Sequence, residues 1–95
     1  MAYLMLRGVV PDFDAWKQDV FDADPVGRKQ AGGKAHCLYR GVENPNEVII
    51  QGEFSTAEQA TAYRERLLSS GVVDRAGAKL AGLPIVVEKA ETVTY

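Results

Sequence analysis

The side chains that could do chemistry are few. His36 is the only histidine and Cys37, next to it, the only cysteine. With an unperturbed pKa of about 6.5, an imidazole can take a phenolic proton near neutral pH and leave an electron-rich anion, ready for dioxygen or for ring closure. The plainer role for one histidine on a strand is a surface or structural one. Cys37 has no activating neighbour in sequence except His36, and strand alternation sends the two to opposite faces, which argues against a thiolate nucleophile. Arg28 closes the stretch "DADPVGR" and offers a planar cation to an anionic or carbonyl-bearing ligand. Asp22 and Asp24 stand at a helix C-terminus, where the dipole disfavours negative charge, and broken local rules sometimes mark function. The plainer reading is a loop whose acids are neutralised by Arg28 and Lys29. Tyr39, Tyr63 and Tyr95 add phenols. With no second histidine or cysteine and no assembled cluster of carboxylates, no metal site is expected.

"GRKQAGGKA", Gly27 to Ala35, has the look of a phosphate cradle. A loop of that kind follows a strand and opens a helix, so that backbone donors converge on the anion. Here a helix precedes and a strand follows. The spacing is one residue too long, and Ala35 stands where a hydroxyl would hold the magnesium ion. The glycines read as turn formers in a connector.

These residues must be positioned by a chain of 95 residues, 46% hydrophobic, which bounds the protein to a single domain over 1–95. Eleven basic residues against 13 acidic ones give a net charge of −2, with no basic run, so neither nucleic acid nor an acidic lipid surface is an expected partner. No apolar run is long enough to cross a bilayer, no leader pattern opens the chain, and the lone cysteine suits a reducing, cytoplasmic setting.

Residues 2–10 alternate as a strand, with Tyr3, Met5, Arg7 and Val9 on one face and Leu4, Leu6 and Gly8 on the other. Asp12 can cap a helix carrying Phe13, Trp16, Val20 and Phe21 on one side; it ends before Pro25. "KAHCLYRGV" is a second strand, with His36, Leu38 and Arg40 opposite Cys37 and Tyr39. Asn44 to Glu47 suits a type I turn into the third strand, "EVIIQGEF". Ser55 and Glu58 have capping-box spacing for a second helix, which points Ala57, Ala60, Leu67 and Leu68 inward and stops near Gly71. A short helical turn over 72–78 precedes a last strand from Pro84 through "IVVEKAETV". The order βαββαβ predicts an α+β, ferredoxin-like antiparallel sheet with both helices on one face.

The other face then shows Tyr3, Met5, Arg7, Val9, Ile49, Gln51 and Glu53. Apolar burial contributes about 25 cal/mol per Å², so a second copy is expected to cover that face as a homodimer. Arg7 with Glu53 is a plausible buried pair, and a polar group of Arg7, Gln51 and Glu53 inside an apolar space is also how a small-molecule site fixes orientation. Trp16 reads as core that can also line a cavity.

"CLYRGVENPNEVIIQGEFSTAEQA", Cys37 to Ala60, resembles the middle of the antibiotic biosynthesis monooxygenase-like family of dimeric α+β barrels. The shared order is a strand ending in tyrosine and arginine, a turn rich in aspartate, asparagine and proline, a strand ending in glutamate and an aromatic, and a capped helix. The resemblance implies two sheets forming a barrel, a pocket in each protomer between sheet and helices, and, in some members, cofactor-independent oxidation of aromatic polyketide-like substrates. Many relatives carry a histidine in the second helix where "ATAYRERL" offers Tyr63 and Arg64, so a mechanism built on that imidazole does not carry over.

Three readings follow. One is a cofactor-free monooxygenase or cyclase with His36 and Arg28 at the chemistry and Trp16, Tyr39, Arg40, Arg7, Gln51, Glu53 and Tyr63 as binding residues. The second is a non-catalytic binder of small apolar or aromatic molecules. The third is a structural dimer whose polar interior fixes the pairing of sheets.

Overall fold

The computed structural model describes residues 1–95. Strand β1 (Ala2–Val9) leads through a capped turn into α1 (Phe13–Trp16), which continues as a π-helical segment, Lys17–Phe21. Strands β2 (Gly33–Arg40) and β3 (Glu47–Phe54) form a hairpin; α2 (Ala57–Ser69), α3 (Val72–Arg75), β4 (Lys79–Leu80) and β5 (Ile85–Val87) complete the chain. All pairings are antiparallel, and the order is β2-β3-β1 with β4 and β5 sharing the far side of β1. This is the expected ferredoxin-like α+β plan with its last strand broken in two.

The alternation of β1 decides which side the helices cover. Ala2, Leu4 and Leu6 are buried against Phe54, Ala60 and Tyr63, while Val10, Trp16, Phe21 and Val48 form a second cluster under α1 and its π-helical extension. Odd-numbered residues of β1 face away from the helices. The hairpin turn has the expected bond, with the Glu47 amide donating to the Asn44 carbonyl at 3.0 Å. Asn46 does more than turn the chain: its carboxamide oxygen accepts from the Phe13 amide at 2.9 Å and its carbonyl from Val10, so the hairpin anchors the entry to α1.

Several sequence expectations shift. The last strand does not run from Pro84 through Val93. Its register pairs Tyr3 with Val87, so β1 runs out of residues just beyond that pair, and Glu88 to Tyr95 have no strand to join within the subunit. Two residues of slippage separate the β4 and β5 registers, which is why the strand breaks around Gly82. The helical turn after α2 is confined to Val72–Arg75.

The capping box is one residue later than the Ser55–Glu58 spacing suggests. Thr56 accepts from the Gln59 amide and donates its own amide to the Gln59 side chain, while Ser55 is still leaving β3, whose pairing extends to Phe54. Starting the helix at Ala57 places Ala60 and Tyr63 inward, with Ala57 and Leu67 packed at the edge of the core. Leu68, about 100° further round than Leu67, is exposed instead of inward. Replacing Thr56 with alanine is expected to cost about 1 kcal/mol of stability and Ser55→Ala less than about 0.5 kcal/mol, as read from urea denaturation midpoints.

Candidate functional site

A cavity of about 120 Å³ lies between the sheet and the helical layer, bordered by residues of both core clusters and by Ile50, which packs against each. Its lining is mostly apolar, drawn from β1 and β3 below and from Trp16, Phe21 and Tyr63 above. Into this surface project Arg28, Asp24, His36 and the Tyr63 phenol. How each arrives there can be traced to local structure.

The π-helical segment brings two aromatic rings together. In an α-helix, residues five apart are rotated by roughly 140° and face different ways. The π-type bond from the Asp22 amide to the Lys17 carbonyl, 2.9 Å, stacks such residues instead, and the Trp16 and Phe21 rings meet at 5.2 Å. Phe21 in turn meets the His36 ring edge-on at 4.9 Å.

The connector "GRKQAGGKA" is a connector in the structure also. Gly27 and Gly32 take left-handed backbone in a run of turns, and β2 begins at Gly33. Asp24 is the one non-glycine residue with positive φ, 50°. Both oxygens of its carboxylate accept from the Arg28 amide at 3.0 Å, and Arg28 Nε lies 3.6 Å from one of them. The guanidinium then sits 4.1 Å from the centre of the Phe21 ring. Asp22 is neutralised by Lys17 at 2.6 Å, not by Arg28 or Lys29. The loop is thus both charge-paired and a cavity wall.

The β2–β3 register settles which face of β2 turns inward. His36 stands opposite Gly52, Leu38 opposite Ile50 and Arg40 opposite Val48, all on the helix side. Cys37 and Tyr39 pair with Gln51 and Ile49 on the open side. His36 therefore reaches the cavity rim and Tyr39 does not. Arg40 shares the inward face but lays its guanidinium over Phe13 at 4.2 Å, outside the cavity lining. The neighbouring Cys37 thiol holds the Tyr39 phenol above its usual range.

Arg7, Gln51 and Glu53 also belong to the open face, and the anticipated Arg7–Glu53 pair does not form. Arg7 is opposite Ile49 and bonds to Glu47 at 3.0 Å, on the diagonal; Glu53 is opposite Tyr3, roughly 13 Å along the strand. Arg7 and Glu53 border the cavity only from strand positions whose side chains alternate to the other side. Of the nine sequence candidates, His36, Arg28, Trp16 and Tyr63 line the cavity, Tyr39, Arg7, Gln51 and Glu53 belong to the open face, and Arg40 packs on Phe13 away from both.

One lining residue escaped sequence reading. Gly52 faces the cavity opposite His36, and a Cβ there would meet nothing nearer than the Phe54 ring at 3.5 Å, an ordinary contact. Its absence of side chain is what leaves the floor open. A glycine inside a β-branched strand was the available signal. Asp24 was read only as a dipole anomaly, because its role depends on a left-handed turn that no spacing rule reveals.

Electrostatics suit proton removal. Burial, followed by Arg28 and Lys17, lowers the His36 pKa, with Asp22 and Asp24 opposing. At neutral pH the imidazole is a free base. Burial raises the Tyr63 phenol, and Arg28 partly offsets that, so Tyr63 stays protonated as a hydrogen-bond donor. No group of three or more histidine, cysteine, aspartate or glutamate side chains is placed to hold a metal ion, and no helix is long and apolar enough to cross a membrane.

Solved structures with this arrangement are similar along the whole chain. A candidate antibiotic biosynthesis monooxygenase from Deinococcus radiodurans superposes with a TM-score of 0.68 at 10% identity, covering 100% of this chain and 98% of that one. One from Bordetella bronchiseptica gives 0.65 at 18% identity, covering 97% of each chain. HapK from Hahella chejuensis gives 0.62 at 14% identity, over 100% of this chain and 98% of HapK. The chain has the fold of these proteins. No protein-family model and no curated protein sequence matches it. The resemblance read from Cys37 to Ala60 therefore stands at the level of fold, and at these identities the activity must be argued from the site.

Since His36 is the sole histidine, its proton resonances are unambiguous in an NMR titration, and its midpoint is expected below the ordinary 6.5. The unfolded chain then binds this proton first as pH falls. His36 accordingly leaves stability untouched above pH 6.5 and subtracts from it as pH drops from 6.5 toward the native pKa.

Proposed function

We propose that the protein acts on a small aromatic or polyketide-like molecule bearing an acidic hydroxyl, as a cofactor-independent monooxygenase or cyclase. The observation that carries this reading is the meeting of a neutral-base histidine and a half-buried arginine at one apolar cavity. Bound in the cavity, a phenol would give its proton to His36 while its oxygen meets Arg28, so the charge forms beside a fixed cation. The anion is electron-rich enough to reduce dioxygen. Joining of oxygen to a ring carbon, return of the His36 proton to the peroxide and loss of water would leave a quinone, with one dioxygen consumed per molecule oxidised. Similar proteins named as antibiotic biosynthesis monooxygenases favour the same class of chemistry.

The second reading, a binder that does no chemistry, draws support from the exposure of His36 on an edge strand. The two are separated by variants. With hydroquinones and phenols as substrates and oxygen uptake as the readout, His36→Ala is expected to lower kcat about 100-fold or more. Gly52→Val should abolish binding and turnover together while leaving the fold intact, because a Cβ there meets nothing nearer than the Phe54 ring at an ordinary 3.5 Å and the rest of the side chain points into the cavity. Unimpaired binding in Gly52→Val removes the cavity from both readings; binding without oxygen uptake leaves only the second.

The open sheet face supports a homodimer. Cross-strand rows place Tyr39, Ile49 and Arg7 together, then Cys37, Gln51, Met5 and Ile85. Ile85 is 56% exposed and Tyr39 50%, which is costly for large apolar groups in water. Arg7, Gln51 and Glu53 would then lie at or near the joint between sheets. A reducing cytoplasm suits the exposed Cys37 thiol. Sedimentation at micromolar concentration is expected to show a species of about twice 10.4 kDa, and Ile85→Asp to shift it toward one subunit.

A further inference from the structure

Arg28 is held in an unusual way. Its side chain is only 23% exposed, yet its sole ionic partner is Asp24, engaged through Nε at 3.6 Å. No hydrogen bond occupies either Nη nitrogen. Arg28 lines a mostly apolar cavity, which an untethered arginine would leave for water. What keeps it there is local. Asp24 precedes Pro25, a position that favours extended backbone, and nevertheless adopts φ of 50°. That conformation turns its carboxylate back onto the amide and Nε of Arg28, four residues on. Neutralising one edge of the guanidinium makes its burial tolerable and leaves the other edge unspent.

We propose that Asp24 is a positioning residue, which fixes the Arg28 guanidinium on the Phe21 ring so that its Nη edge is presented to a ligand oxygen in the cavity. The ligand class follows from that edge: two parallel N–H donors fit a phenolate oxygen or a conjugated carbonyl better than an uncharged hydroxyl. The proposal rests on the reading of the cavity as a phenol site. It predicts that Asp24 matters to binding only through Arg28.

Two measurements test it. In the free protein, stacking over Phe21 shifts the Arg28 side-chain proton resonances upfield through the ring current. Asp24→Asn, which tolerates left-handed backbone but carries no charge, is expected to move them back toward solvent-exposed values, as is Asp24→Gly, for which that backbone is unstrained. Unmoved resonances in both variants overturn the proposal, whatever the cavity binds. With 4-nitrophenolate as the probe, Asp24→Asn and Arg28→Ala should each weaken binding about tenfold, and the double variant no more than Arg28→Ala alone. Full additivity of the two losses would show that Asp24 acts independently of Arg28 and would equally overturn it. If the unaltered protein binds no 4-nitrophenolate, the phenol-site reading falls, and the resonance test alone decides the role of Asp24.

Discussion

Eight paired residues between β1 and β3, from Ala2 with Phe54 to Val9 with Glu47, determine the side of the sheet on which every functional group lies. Because side chains alternate with period two, a slip of one residue that left β1 in place would send Val48 and Phe54 into water and bring Gln51 and Glu53 beneath the helices. The cost of that inversion locks the register. β2 then inherits its orientation from β3, and His36 is turned toward the helical layer because its partner, Gly52, already faces that way.

The helical layer covers the sheet in two separate patches. Under α2 the contacts are made by Ala60 and Tyr63; under α1 and its π-helical extension they are made by Trp16 and Phe21. Ile50 packs against both patches, and the cavity lies beside it, over Gly52. Function and packing are therefore two descriptions of one feature. A bulkier residue on the floor would fill this space beside a titratable base.

Charge is distributed with the same economy. Lys17 neutralises Asp22 on the outside, and Asp24 takes one edge of Arg28 on the inside. The aromatic chain from Trp16 through Phe21 to His36 fills the space between them and packs against one side of the imidazole, whose basicity falls mainly by partial burial. On the opposite face the ion pair of Arg7 with Glu47 is solvated, and large apolar groups stand around it.

Local patterns in the sequence were sufficient for the element order, the strand faces, the hairpin turn at Asn44 to Glu47 and the connector character of Gly27 to Ala35, since each depends on neighbours within a few residues. They misplaced the cap by one residue because Ser55 and Thr56 both satisfy the same spacing, and they overextended the last strand because strand propensity in "EKAETV" says nothing of whether a partner strand is still alongside. The π-helical turn that aims Phe21, the left-handed Asp24 that aims Arg28, the diagonal choice of Glu47 over Glu53 and the inward face of His36 were decided only by the tertiary structure. Each depends on register or on contact between segments far apart in the chain, and such contacts carry no local signature until the sheet has formed.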